Sequence, residues 1–138
     1  MDDAGTYNVL DGYFYTKDHE WIKSSKETYL VGITDYAAKM LNDIVYVNLP
    51  KEGDSFNQKD VFGQVESVKT VSDMYMPVSG SVVRTNIKLM QAPELVSNSP
   101  YDDGWMLEIT AKNFSGESQD LLDPKTYREF ILTLKDST

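Results

Sequence analysis

Cysteine is absent from all 138 residues, which excludes disulfides, thiolate nucleophiles and sulfur-ligated metals, so any redox chemistry has to be imported. Histidine occurs once. With no cysteine and no serine elbow in the chain, His19 has no nucleophile to activate and reads as a structural residue at a strand edge. Basic residues are scarce: 13 Lys and Arg against 22 Asp and Glu leave a formal charge of −9, with no basic cluster. A phosphate backbone is bound by displacing counterions with such clusters, so nucleic acid is not an expected partner. No apolar run is long enough to span a membrane, and the acidic start Met1-Asp2-Asp3 is unlike an Arg-rich transit peptide. The acidic pairs, such as Asp102-Asp103, lack calcium-loop spacing, and there is no glycine-rich phosphate cradle, so neither a metal nor a nucleotide site is expected.

What is present is mostly strand. One domain over 1–138 is expected at this length, with residues 1–10 as a flexible amino-terminal segment. His19 to Ser24 and Thr28 to Thr34 read as strands about the polar turn Ser25-Lys26-Glu27. Asp43 to Leu49 alternates Ile44, Tyr46 and Asn48 against Val45, Val47 and Leu49. Between these lies a short helix, which Thr34 can cap; Ala37, Met40 and Leu41 share one face, and Asn42 suits a left-handed exit. Ser79 to Ile87 and 105 to 111 supply further strands. A C-terminal helix over 123–134 starts at Asp123 and Pro124, with Tyr127, Phe130, Ile131 and Leu134 as its apolar stripe. The fold class is mainly β, with two small antiparallel sheets packed face to face.

One segment carries candidate chemistry. Val61 to Glu66 alternates, Met74 to Pro77 resumes an extended run, and Ser67 to Ser72 between them read as a hairpin tip. Lys69 stands on that tip. A solvated primary amine there is open to a modifying enzyme, and the strands beneath fix where an added group begins.

Glu66-Ser67-Val68-Lys69-x-x-Ser72-Asp73, followed by Pro77 and Gly80, resembles the lipoyl-attachment signature of the glycine cleavage system H protein family, with Lys69 at the lipoylated position. His19-Glu20-Trp21, Val31 to Ala37, Asp43-Ile44-Val45, Leu49-Pro50, Phe62-Gly63, Pro93 to Val96 and Pro100 to Trp105 fall in that family's order, from residue 8 to about residue 132. Lys59 and Met76 depart from the pattern, standing where the family usually has glycine and a small residue. The resemblance sharpens the fold to a barrel-sandwich hybrid with a short internal helix and a C-terminal helix. It implies a carrier with covalent lipoate on Lys69 and no catalytic residue of its own, its attachment motif recognised through Glu66, Ser67, Val68 and Ser72.

By the same resemblance, the arm takes the aminomethyl group of glycine from a pyridoxal-phosphate glycine decarboxylase to a tetrahydrofolate-dependent aminomethyltransferase, and dihydrolipoamide dehydrogenase reoxidises the dithiol. A lipoate ligase or lipoyltransferase attaches the group. Glu20 and Asp73 are implied to meet the loaded arm's amino group in a cleft. A monomer is expected, in the mitochondrial matrix or alternatively the bacterial cytoplasm, since Asn8 to Gly12 resembles the mature amino terminus of mitochondrial members. Two other roles stay open: a relay of lipoyl or octanoyl groups in cofactor assembly, and a carrier domain of another lipoyl or biotin system. Biotin is disfavoured, because Val68 and Thr70 flank the lysine where biotin carriers usually have methionine.

Overall fold

A computed structural model describes residues 7–136. Among the described residues nine strands form two antiparallel sheets. The larger contains β1 (Phe14–Tyr15), β2 (Glu20–Ser25), β3 (Thr28–Ile33), β9 (Leu107–Ala111), β8 (Gly80–Thr85) and β5 (Ser55–Phe56), in the order β1-β2-β3-β9-β8-β5. The smaller contains β4 (Ile44–Asn48), β6 (Val61–Ser67) and β7 (Val71–Tyr75), with β6 in the middle. Their inner faces meet over a core that includes Ile22, Val31, Val47, Val65, Met74, Met76, Val82 and Ile109. The chain is thus a β-sandwich with helices at its margins. Beyond the two expected helices, α2 (Leu95–Asn98) and α3 (Phe114–Glu117) are single α-helical turns.

The first hairpin is as expected, with Lys26 at φ 59° in its turn. Helix α1 (Asp35–Leu41) begins where the Thr34 hydroxyl accepts the Ala37 N–H and ends at Asn42, φ 55°. Its packing face differs from expectation. Ala37 and Ala38 are buried, whereas Met40 is 64 % exposed. Strand β4 also departs from simple alternation, because a bulge between Ile44 and Tyr46 shifts its register on β6. Ile44 and Val47 therefore face inward, and Val45 and Tyr46 both face water.

A second cluster lies under the C-terminal helix α4 (Pro124–Asp136), where Tyr127 and Ile131 pack on Val9, Tyr13, Tyr15 and Trp21. The Asp123 carboxylate accepts the Thr126 N–H, as an N-cap does. Of the stripe, Phe130 and Leu134 are only half buried. Of the segment 1–10 expected to be flexible, residues 7–10 are described and make contacts with the rest of the chain. Residues 1–6 lie outside the described residues, but Val9 is buried, its carbonyl accepts from Arg128, and Asn8 donates to the Asp35 carboxylate. Tyr7, Asn8 and Val9 make contacts more than 25 positions away in sequence, which local composition does not reveal.

Candidate functional site

Strands β6 and β7 form one hairpin, and the tip residues follow from local chemistry. Ser67 is buried; its hydroxyl accepts from the Lys69 and Thr70 N–H groups and donates to the Thr70 carbonyl, while its own N–H bonds that carbonyl at 2.8 Å. The turn is closed by one serine. Val68 N–H donates to the Asp43 carbonyl at 3.1 Å, tying the tip to the start of β4. Beneath it Gly63 lies so close to the Asn48 carbonyl that a Cβ would collide with backbone. Lys69 emerges from this braced tip into solvent, and among the described residues no carboxylate forms an ion pair with it.

The other motif residues divide by exposure. Glu66, Val68 and Asp73 are exposed and Ser72 is half buried, so all four can be met by another protein. Ser67 is 4 % exposed. Its hydroxyl shapes the turn that carries the motif. Across the sheet, Asn48, Gln64 and Asp73 form a row: the Asn48 amide donates to Gln64 at 2.7 Å, and the Gln64 amide donates to the Asp73 carboxylate at 3.3 Å. Sequence reading missed this row. Pairing Ser67 with Thr70 and counting back along the hairpin places Gln64 opposite Asp73, as the register has it.

Glu20 and Asp73 are not in contact. Glu20 is fully buried between the sheets: its carboxylate accepts from the Thr16 hydroxyl at 2.5 Å and from the Tyr75 N–H at 3.1 Å. Strand β7 is the edge of its sheet, and Glu20 satisfies one of the edge N–H groups. It also lines a small cleft of about 30 Å³ with Asp18, Lys59, Tyr75 and Asp120. Asp73 lies two residues before Tyr75 on β7, about 7 Å from it along the strand. The β7 edge runs from the Lys69 turn past Asp73 to Tyr75, whose N–H bonds Glu20.

Burial pushes the Glu20 carboxyl up to about 7, against its two hydrogen bonds, which favour the charged form. A raised folded-state value favours the protonated form, so the stability this group contributes is complete below the ordinary carboxylate range and is lost as pH rises through about 7. Relative to Glu20→Gln, the native protein should therefore lose on the order of 3 kcal/mol between pH 5 and pH 8. Urea unfolding of both proteins across that range checks this; parallel curves would mean that Glu20 is ionised throughout. Next to it, burial lowers the His19 imidazole to about 4. Its Nδ1 lies 2.8 Å from the Tyr127 hydroxyl, so the structural reading of His19 matches its surroundings.

Lys59 adopts φ 75°, the left-handed conformation that glycine tolerates and lysine does not. Its N–H still bonds the Met76 carbonyl. Lys59→Gly should relieve 1–2 kcal/mol of backbone strain and restore chain entropy to the unfolded state, for a net gain of about 0.5 kcal/mol. A lower urea midpoint for Lys59→Gly would show that the lysine side chain is stabilising at the cleft. Met76, the other departure, is buried in the main core.

Among the described residues, no group of three or more His, Asp or Glu side chains is arranged to hold a metal, and no helix is long and apolar enough to cross a membrane. The sequence model of the family described as Glycine cleavage H-protein matches residues 13–134. A protein of Pyrococcus furiosus named probable glycine cleavage system H protein is 44 % identical over 135 residues, 97 % of this chain and 100 % of that one. A Staphylococcus haemolyticus glycine cleavage system H protein is 50 % identical over 119 residues, covering 85 % and 92 %. In three dimensions the chain matches the crystal structure of a Mycobacterium marinum glycine cleavage system H protein with a TM-score of 0.81 and 32 % identity, over 88 % of this chain and 97 % of that one.

Proposed function

The chain belongs to the glycine cleavage H-protein family, and from that membership we propose that it is the lipoyl carrier of a glycine cleavage system, with lipoate in amide linkage to Lys69. The observation that carries this is the tip itself: a braced turn presenting one solvated lysine amine that no carboxylate pairs with among the described residues. When bound, the lipoyl dithiolane would accept the aminomethyl remnant of glycine from the decarboxylase, yield it to the aminomethyltransferase and be reoxidised by dihydrolipoamide dehydrogenase. The protein acts as carrier and protein substrate, not as catalyst. A fixed starting point turns three encounters with free lipoate into presentation from one tether, which raises effective concentration at each partner. The net charge of −9 favours partners with basic rims. Both relatives and the structural match come from archaea or bacteria, which favours the cytoplasm and lends no support to the mitochondrial matrix.

Intact mass and peptide mapping of protein from its native source test the assignment. Lipoate is expected on Lys69 alone; lipoate on another lysine, or biotin on Lys69, would end it. Asp73 and Glu20 are proposed to meet the arm's amino group in turn, Asp73 from its exposed position and Glu20 by exchanging a Thr16 or Tyr75 hydrogen bond for the cation. A charge-assisted bond of about 1.5–3 kcal/mol is enough to bias the arm toward the cleft. Asp73→Asn should accept lipoate normally, yet the loaded carrier held alone in buffer should release formaldehyde several-fold faster. Equal release rates would remove Asp73 from the docking path.

A further inference from the structure

A second groove, of about 490 Å³, adjoins the Lys69 turn. Ala38 of α1, Ile44 and Val45 of β4 and Val68 of the turn give it apolar walls, and Glu94 and Ser97 close it from the opposite segment. Val68 and Val45 are 70 % and 50 % exposed, so both aliphatic side chains are open at the groove mouth. Ser97 Oγ is buried with no hydrogen-bond partner among the described residues. An unpaired buried hydroxyl costs stability, so the structure carries an unmet polar group beside this groove.

The rim holds strain and charge. Asn42 and Asp43 are consecutive left-handed residues, at φ 55° and 33°, and both line the groove. Strained backbone of this kind persists where surrounding structure over-determines it, and it concentrates at functional sites. Asp43 also accepts the Val68 N–H, so groove and turn are one rigid unit. Asp43 and Glu94 give the rim two carboxylates, neither in an ion pair among the described residues, while Lys39, which also lines the groove, is paired with Asp35 at 2.9 Å.

We propose that this groove is the docking site for the enzyme that acylates Lys69, and that it receives a loop of that enzyme presenting one aliphatic side chain beside a lysine or arginine. The inference rests on Lys69 being the acylated residue. Aliphatic walls fit the first side chain, and the two rim carboxylates fit the second. The choice of enzyme follows from reach. An acylating enzyme must bring its centre to the end of a bare lysine and so must touch the flanks of the turn. Enzymes that use the completed arm work at its far end and can stand clear of the groove.

The test is acylation of the unmodified chain by a lipoate ligase supplied with lipoate and ATP, with rates measured against carrier concentration. Val45→Asp places a charge at the apolar mouth, Glu94→Lys reverses the rim, and both positions are exposed, so folding is preserved. Each should raise KM for the carrier about tenfold, with kcat and KM for lipoate within about twofold. Val83→Asp, exposed on β8 of the other sheet, should match the native protein. Native KM values for both groove variants, with the acyl group still on Lys69, overturn the groove and leave the carrier reading intact. A Val83→Asp effect as large as that of Val45→Asp also overturns the groove, and acylation of a different lysine overturns both.

Discussion

Lys69→Arg should melt where the native protein melts and yet carry no lipoyl group and support no glycine cleavage. The side chain is solvent-exposed and in no ion pair among the described residues, so a surface exchange here is expected to change stability by less than about 0.5 kcal/mol. The turn does not depend on the side chain either: residue 69 contributes its backbone N–H to Ser67 Oγ, which arginine supplies equally. What arginine cannot supply is a nucleophilic amine, since its guanidinium stays protonated and delocalised at any accessible pH. The effect is thus all-or-none on modification and near zero on folding. Two measurements check it: intact mass after incubation with ligase, lipoate and ATP, and carbon dioxide release from glycine with the three partner enzymes. Turnover by Lys69→Arg above a carrier-free blank would remove Lys69 from the reaction.

The tip was legible in the sequence because its determinants are local. One serine, one lysine and the flanking strand periods lie within eight residues, and Ser67 closes the turn through partners two and three positions away. Helix α4 was legible for the same reason, with its cap, its proline and its stripe all inside one segment. The strain at Lys59 was foreshadowed by its departure from the family's glycine. What local reading missed depends on distant partners. Glu20 looks like a strand-end acid until β7 arrives 55 positions later to use its carboxylate. Met40 occupies the apolar face of α1 by period, but the helix packs through its two alanines and leaves that methionine to solvent. The β4 bulge turns Val45 outward, and with it creates one wall of the groove beside Lys69.

The largest expected effect on stability is at Tyr127, which joins helix α4 to both the aromatic cluster and the loop before β2. Its ring is fully buried and stacks on Tyr15 at 4.5 Å and 5°, and its hydroxyl lies 2.8 Å from both Thr34 Oγ1 and His19 Nδ1. One consistent arrangement has the Thr34 hydroxyl donating to Tyr127 and Tyr127 donating to a neutral imidazole. Burial keeps that imidazole neutral by lowering it to about 4. A depressed value in a base gives stability that is present above its ordinary range and is lost as pH falls through about 4, so acid should open this region. Tyr127→Ala removes a buried ring, at about 3–5 kcal/mol, and leaves two polar groups without their partner, at about 1–3 kcal/mol more. Against a total of about 5–15 kcal/mol for a domain, that brings the chain close to unfolding at neutral pH. Tyr127→Phe keeps the ring and loses only the hydroxyl, so it should cost the smaller amount and separate packing from hydrogen bonding. Helix α4 packs on β1, and among the described residues the apolar cluster beneath it includes none from the β6–β7 hairpin, so at low temperature Tyr127→Phe should be acylated on Lys69 at the native rate. Urea unfolding gives both losses. A Tyr127→Ala midpoint within about 1 kcal/mol of native would show that the aromatic cluster does not hold α4 to the sandwich.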